Sequence, residues 1–145
     1  MSPDLLFLIC NNGVLPAWLL LAVAPGWVWT TRLIHAVWIP CLLALAYGFA
    51  IVQGLSNAPE DGGFGSLAGV MALFTQPWAA LGGWIHYLAF DLFVGAWEVR
   101  DARRRGIAHL WVVPCLVLTL MLGPLGLLAY LALRFGLTRE LTLSE

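Results

Sequence analysis

The stretch W-I-H-Y-L-A-F-D-L-F-V-G-A-W-E-V-R-D, residues 84 to 101, decides the fold class because it is long and apolar yet carries ionisable side chains. His86, Asp91 and Glu98 lie inside this stretch or at its edge. In a bilayer, an ionisable side chain is costly unless it faces the interior of a helix bundle or a polar cavity. We therefore expect this segment to form a membrane-spanning helix that is the functional centre of the protein.

The composition of the chain also indicates a membrane protein. Of its 145 residues, 61% are hydrophobic and 10% are charged, and the mean hydropathy is +0.89. Soluble domains carry about 25% charged residues. We therefore predict a single transmembrane domain over residues 1–145, and the composition excludes a soluble globular enzyme.

Apolar stretches of about 20 residues are long enough to cross about 30 Å of hydrocarbon as helices. The sequence predicts an all-α bundle of four transmembrane helices, over about residues 5–24, 33–52, 77–99 and 107–133. The apolar segment 67–74 is too short to span, so we expect a short interfacial or re-entrant helix between the second and third spans. Pro124 should kink the fourth helix and free a backbone carbonyl.

The arginines predict the orientation of the bundle. The Arg100–Arg105 turn carries a cluster of them, and positive side chains favour the cytoplasmic side of a membrane. We therefore expect this turn to be cytoplasmic and both termini to lie on the opposite side, although Arg134 and Arg139 oppose that choice. The cluster is interpreted as a topology signal, so no nucleic-acid partner is predicted. No organelle-type transit peptide is evident, and we expect the bacterial inner membrane.

Asp91 is the strongest candidate for chemistry, because it lies near mid-span with no basic residue within four positions. Its carboxyl is expected either to stabilise the bundle by hydrogen-bonding another helix or to donate and accept protons. At the helical repeat, Trp84, Tyr87, Asp91 and Glu98 share one face. His86 lies about 140° away from Asp91, so the two side chains should not enter one pocket from a straight helix.

The remaining candidates extend this site. Glu98 is expected either to assist Asp91 or to pair with the neighbouring arginines. The predicted substrate-binding residues are aromatic or polar: Trp84, Tyr87, Phe90, Trp97, Asn12 and His109. The histidines and carboxylates suit zinc or iron chemically but lack H-x-x-x-H or E-x-x-H spacing, so we predict no metal and no cofactor.

Sequence patterns along nearly the whole chain resemble those of the ABA4-like family. They are N-x-V-L-P-x-W at 12–18, A-P-G-W followed by T-T at 24–31, W-I-H-Y-L-A-F-D-L-F-V-G at 84–95, D-A-R-R-R-G-I-A-H at 101–109 and L-T-L-M-L-G-P-L-G-L-L-A-Y at 118–130. Plant members of this family are plastid membrane proteins required to form neoxanthin from violaxanthin. The resemblance implies isomerisation of a carotenoid epoxide to an allenic alcohol, which needs no redox cofactor.

In that reaction an acid protonates or polarises the epoxide oxygen and a base removes the proton that leaves the allene. The resemblance assigns these roles to Asp91, His86 and Glu98 as catalytic residues, and it implies a carotenoid or related isoprenoid substrate. The alternative is a non-catalytic membrane protein that binds a pigment or lipid, or that partners another enzyme, because the sequence shows no complete catalytic constellation. The expected partners are membrane lipid and a hydrophobic isoprenoid ligand, and a homo-oligomer is left open.

Overall fold

The computed structural model describes residues 1–140 and 142. Its helices are α1 (Pro3–Val23), α2 (Val28–Thr30), α3 (Trp38–Ser56), α4 (Leu67–Leu73), α5 (Pro77–Arg104), α6 (His109–Leu122) and α7 (Pro124–Thr138). A π-helical turn, Thr31–His35, continues α2. No strand occurs in these residues, so the predicted all-α class is confirmed.

Three helical segments are long and apolar enough to cross a membrane, and they contain the first three predicted spans. They are Pro3–Val23, Val28–Ser56 and Pro77–Arg104. The second segment bends at Val37, where a left-handed φ of +60° separates the π-helical turn from α3. A non-glycine residue in that conformation costs of order 1–3 kcal/mol, and the surrounding packing must hold it.

Helix α5 is the central element, because α1, α3, α6 and α7 all contact it. It begins where the Gln76 side chain accepts a hydrogen bond from the Ala79 amide at 2.8 Å, with Pro77 in the first turn. Glycines on α5 let its neighbours approach closely. A Cβ at Gly95 would lie 2.7 Å from the ring of Trp18 in α1, and one at Gly82 would lie 2.8 Å from Ile51 in α3.

The fourth predicted span, about residues 107–133, is not confirmed as one transmembrane helix. Helix α6 has 14 residues and α7 has 15, so each is about 20 Å long at the usual rise per residue. The chain reverses between them at Gly123, which has a φ of +44°. Gly126 then packs so closely on Thr119 that any Cβ would overlap the Thr119 backbone nitrogen. The two helices therefore form an antiparallel hairpin, in which α7 runs back along α6.

The hairpin returns the chain to the end of the bundle from which it started. Tyr130 and Arg134 of α7 reach Asp101 at the end of α5, and the Arg105 guanidinium lies 2.6 Å from the Glu140 carboxylate. The expectation that both termini lie opposite the arginine turn is therefore wrong for the C-terminal end. The reason is that Gly123 and Pro124 reverse the helix instead of kinking it.

This reversal places all seven arginines at one end of the bundle, which we call the arginine end. Arg32 belongs there because His35, one turn further along the chain, contacts Arg100 at 3.5 Å. Arg134 and Arg139, which opposed the predicted orientation, now agree with it. The first turn of α1 lies at the other end, where Pro3 and Asp4 share a surface hollow with Pro77.

The short helix expected between the second and third spans is present as α4, although its place at a membrane interface stays a prediction. The Ser66 hydroxyl accepts a hydrogen bond from the Gly69 amide at 3.1 Å and so caps the start of the helix. After its end, the Phe74 ring would lie 3.2 Å from a Cβ at Gly83 near the start of α5. Helix α4 therefore lies at the end of the bundle opposite the arginines.

We predict that the hairpin of α6 and α7 enters the membrane without crossing it, and cysteine labelling tests this. Single cysteines replacing Asp61, Arg104 and Arg139 are introduced after the three native cysteines are changed to alanine. We expect a membrane-impermeant thiol reagent to modify positions 104 and 139 from the same side and position 61 from the other. A bundle of four spans would instead place positions 61 and 139 together.

The contact between Gly126 and Thr119 predicts that the hairpin does not tolerate a methyl group. We expect Gly126→Ala to lower the free energy of unfolding by about 1–3 kcal/mol, the usual cost of overpacking. The measurement is unfolding of the purified protein in mixed micelles. Gly13→Ala is the matched control, because a Cβ at Gly13 meets nothing within 4 Å. Equal stability of both variants would contradict the close packing.

Candidate functional site

Helix α5 presents three buried carboxyl groups toward the hairpin. Asp91, Glu98 and Asp101 have relative exposures of 9%, 0% and 2%. Burial of a charged group is costly unless it is paired or hydrogen-bonded, so the partners of each carboxyl indicate its role. These partners become fewer from Asp101 at the arginine end to Asp91 near the middle of α5.

The break between α6 and α7 determines what surrounds Asp91. Pro124 has no amide hydrogen, so the Leu120 carbonyl loses the partner that a continuous helix would supply. The Tyr87 hydroxyl of α5 donates a hydrogen bond to that carbonyl at 2.9 Å. The amides of Gly126 and Leu127 donate to the Gly123 carbonyl. The prediction that Pro124 frees a carbonyl is thus confirmed, and the structure identifies Tyr87 as its new partner.

Asp91 lies against the tip of the hairpin. A Cβ at Gly123 would be 2.8 Å from Oδ1 of Asp91, so only glycine fits beside this carboxyl. The other oxygen, Oδ2, is buried and has no hydrogen-bond partner among the described residues. The predicted inward orientation of Asp91 is confirmed. The carboxyl is in contact with a helix break, and one of its oxygens is uncommitted.

Glu98 lies two turns nearer the arginine end on the same face of α5. Its Oε1 accepts a hydrogen bond from the Thr119 hydroxyl of α6 at 2.9 Å, while Oε2 is buried without a partner among the described residues. Among the residues that the structure describes, no ion pair joins Glu98 to an arginine. Of the two expectations for Glu98, arginine pairing is therefore not observed.

Asp101 is the best-partnered of the three carboxyls. It accepts hydrogen bonds from the Tyr130 hydroxyl at 2.6 Å and from Nε of Arg105 at 3.1 and 3.2 Å. The fully buried Arg134 lies 3.5 Å from it and also donates to the Thr142 carbonyl. The hydrogen bonds that Arg105 donates to Asp101 raise the pKa of its guanidinium group. This network joins α5 to α7 and is structural.

A groove lies between α1, α5 and α6, and one of its lining residues, Tyr87, is one helical turn from Asp91. Its volume is about 210 Å³, and it is lined by Asn11, Val14, Leu15, Trp84, Tyr87, Leu88, Leu120 and Met121. Nε1 of Trp84 donates to the Asn11 amide oxygen at 3.1 Å, and the Trp84 and Tyr87 rings are 5.4 Å apart. Trp84, Leu15 and Met121 are all exposed. The mouth of the groove therefore lies on the outer surface of the bundle, and Asp91 lies one helical turn from Tyr87 along α5.

His86 and Phe90 lie on a different face of α5. The His86 ring stacks on Phe90 at 4.5 Å and lies 5.7 Å from the Tyr47 ring of α3. Both side chains are exposed between α3 and α5. His86 and Asp91 therefore lie apart in the structure. This separation agrees with the prediction from the helical repeat.

Three further predicted binding residues are also separate from the groove. The Trp97 ring meets Tyr130 edge to face at 5.5 Å on the α7 side. Nε2 of His109 lies 2.9 Å from the Ala22 carbonyl oxygen and braces α6 against α1. Asn12 is exposed, and its neighbour Asn11 makes the contact to the groove.

The sequence reasoning missed the partners of the carboxyls, although signals for them exist. Thr119 and Tyr130 were not predicted as partners of the carboxyls, yet their hydroxyls donate hydrogen bonds to Glu98 and Asp101. Arg134 was counted only as a topology signal. An arginine at the end of an apolar stretch is a reason to look for a buried carboxylate.

The Asp101 network predicts a large difference between carboxyl variants. We expect Asp101→Asn to lower the free energy of unfolding by about 3–5 kcal/mol, because it leaves the buried Arg134 without a counter-charge. Arg104→Gln is the control, because the Arg104 side chain is 50% exposed and its one contact with Asp101 is a long ion pair of 3.6 Å. We expect it to change stability by about 1 kcal/mol or less. Unfolding in mixed micelles measures both, and similar values would show that the network is not structural.

Comparison with known proteins assigns the chain to a family. No curated protein and no solved structure matches it. The model of the family described as ABA DEFICIENT 4-like matches residues 5–130, which include Tyr87, Asp91, Glu98 and the helix break at Gly123. Because this match covers most of the chain, and because the three long apolar helices fit a membrane protein, the protein belongs to the ABA4-like family.

Proposed function

We propose that the protein is an integral-membrane isomerase that acts on a carotenoid or a related isoprenoid. One observation carries the proposal: the buried carboxyl of Asp91 has an oxygen without a hydrogen-bond partner among the described residues, and it lies one helical turn from Tyr87, which lines a groove on the outside of the bundle. Ionisable residues at such depth are functional sites by default. Family membership supports a carotenoid-like substrate.

The groove suits part of a long apolar molecule better than a soluble one. Apart from the Asn11 amide, the Trp84 indole nitrogen and the Tyr87 hydroxyl, its lining side chains are hydrocarbon. The rings of Trp84 and Tyr87 offer a surface on which a polyene or an end ring can pack, and such contacts add about 0.5–1.5 kcal/mol each beyond area burial. The ligand would enter laterally from the bilayer.

The proposed chemistry uses Asp91 as both acid and base. The protonated carboxyl donates its proton to the epoxide oxygen, and one ring carbon–oxygen bond breaks. The resulting carboxylate then removes a proton from the adjacent polyene carbon, and the carbon–hydrogen electrons form the new double bond of the allene. The product is an isomer of the substrate, and Asp91 returns to its starting form.

The other predicted site residues have different places in this proposal. Glu98 supports Asp91 from the same face of α5, held by Thr119. Tyr87 lies between the groove and Asp91, but its hydroxyl proton is committed to the Leu120 carbonyl. His86 faces α3, so it is not assigned a proton transfer at Asp91. In this proposal the single carboxyl of Asp91 therefore provides the general acid–base catalysis, which usually accelerates a reaction by about 10²–10⁴-fold.

The second candidate function is a non-catalytic protein that binds a pigment or lipid. The observation that favours it is the contact between Asp91 and Gly123, since the carboxyl then has a structural use at the hairpin tip. Under this alternative the same groove binds the apolar ligand and returns it unchanged.

The variant Asp91→Asn distinguishes the two functions. We expect the wild-type protein in liposomes to convert violaxanthin to an allenic isomer, and the variant to lose at least about 100-fold of that rate. Its free energy of unfolding should change by no more than about 1 kcal/mol, because the amide keeps the shape of the side chain. Chromatography and the infrared band of the allene follow the product.

Glu60→Gln is the matched control, because Glu60 is an exposed carboxyl in the loop before α4. We expect it to keep full turnover. Full turnover by Asp91→Asn would exclude acid–base use of this residue. Saturable binding of violaxanthin that is recovered unchanged would establish the non-catalytic alternative instead.

A further inference from the structure

We propose that the face of α5 opposite Asp91 holds a binding site for an anionic phospholipid, with its phosphate at the arginine end and an acyl chain along α3 and α5. The site has two parts. A hollow of about 300 Å³ is lined by Arg100, Arg103 and Arg104, and an apolar groove of about 330 Å³ lies further along the same helix.

The arginines of the hollow are free to bind an anion. Arg100 and Arg103 form no ion pair with any carboxylate in residues 1–140 and 142. Arg104 forms a long ion pair of 3.6 Å with Asp101, and half of its side chain stays exposed. Arg105 shows the contrast, since Asp101 and Glu140 both pair with it and it is 12% exposed. Within the hollow, Arg100 and Arg103 are therefore the arginines whose charge no carboxylate of the described residues balances.

The π-helical turn orients Arg100. Nε2 of His35 lies 3.4 Å from the Pro25 carbonyl oxygen, which can only accept, so the proton of a neutral ring belongs on Nε2. Nδ1 is then an acceptor, and Nη1 of Arg100 lies 3.5 Å from it. Arg100 keeps its other N–H donors for a ligand. Guanidinium groups bind phosphate oxygens with paired hydrogen bonds, which gives geometric as well as electrostatic selectivity.

The apolar groove has the composition expected of an acyl-chain site. It is lined by Val37, Pro40, Cys41, Ala44, Ala89, Phe90 and Phe93. The side chains from α3 are small or medium in size, and the phenylalanines of α5 form the opposite wall. Val37 also carries the left-handed backbone that separates the π-helical turn from α3. This bend lies between Arg32 and His35 on one side and the groove on the other.

The helical repeat places both parts on one face of α5. Counting about 100° per residue, Ala89, Phe93 and Arg100 fall within about 40° of one another, whereas Asp91 is about 160–200° from them. Phe93 and Arg100 are about 10 Å apart along the helix axis. A phosphate in the hollow therefore lies one head-group length above a chain in the groove. The two parts together fit one amphiphile, and neither part contacts the groove at Asp91.

Binding of defined lipids to the full-length protein in detergent, measured by native mass spectrometry, tests this site. The probes are phosphatidylglycerol, phosphatidylcholine and inorganic phosphate. We expect phosphatidylglycerol to bind most tightly, and Arg100→Gln with Arg103→Gln to weaken it by about fivefold for each arginine removed. Ala44→Phe, which fills the groove, should weaken phosphatidylglycerol without changing the charge.

Two variants serve as matched controls. Arg139→Gln removes an exposed arginine from the same end, where it lies over the Phe135 ring outside the hollow. Ala132→Phe adds the same bulk as Ala44→Phe on the exposed face of α7. Both should bind phosphatidylglycerol as the wild-type protein does. Thermal unfolding without added lipid verifies that each variant is folded.

Each contrary result overturns a stated part of the proposal. Equal affinity for phosphatidylcholine would show that the site does not select an anionic head group. Equal loss with Arg139→Gln would show that the arginines act only as a diffuse charge. Inorganic phosphate that binds as tightly as the lipid would show an anion site without a chain. Unchanged binding by Ala44→Phe would remove the groove from the site.

Discussion

The structure depends on the hydrogen bond that the last turn of α6 finds for its free backbone carbonyl inside an apolar medium. A carbonyl without a partner in the hydrocarbon region costs several kcal/mol, and Pro124 creates one at Leu120. The Tyr87 hydroxyl supplies the missing donor from α5. That hydrogen bond fixes the tip of the hairpin at the depth of Asp91. Since Gly126 contacts Thr119, the rest of α7 can only follow α6 back toward the arginine end.

The reversal explains why α5 can carry three buried carboxyls. Asp101 is compensated by Arg105 and Arg134, and the hairpin delivers the second of these. Glu98 accepts a hydrogen bond from one hydroxyl of α6, and Asp91 lies against Gly123 at the tip of the hairpin. Charge compensation is therefore strongest at Asp101, at the arginine end, and weakest at Asp91, one turn from the groove at Tyr87. A purely structural carboxyl would not be expected to keep an uncommitted oxygen at that depth.

The sequence predicted the elements better than their arrangement. Segment length and hydropathy predicted the first three spans, and Asp91 was correctly expected to face inward. Pro124 was correctly expected to free a carbonyl, but Gly-Pro is compatible with either a kink or a reversal. The contact that distinguishes them joins residues 33 apart in the chain, Tyr87 and Leu120, and no local pattern specifies it. From the sequence, Arg134 and Arg139 were placed on the side opposite the other arginines for the same reason, because the position of Arg134 depends on the reversal.

The separation of His86 from Asp91 has a consequence for how α5 is used. The helical repeat puts the carboxyls on the face toward the hairpin, while His86, Phe90 and the arginine hollow lie on the face toward α3. Opposite faces of one helix cannot share a small reacting centre. A ligand bound to one face can nevertheless affect the other face by changing the position of the helix. A lipid bound between α3 and α5 would hold α5 by its exposed face.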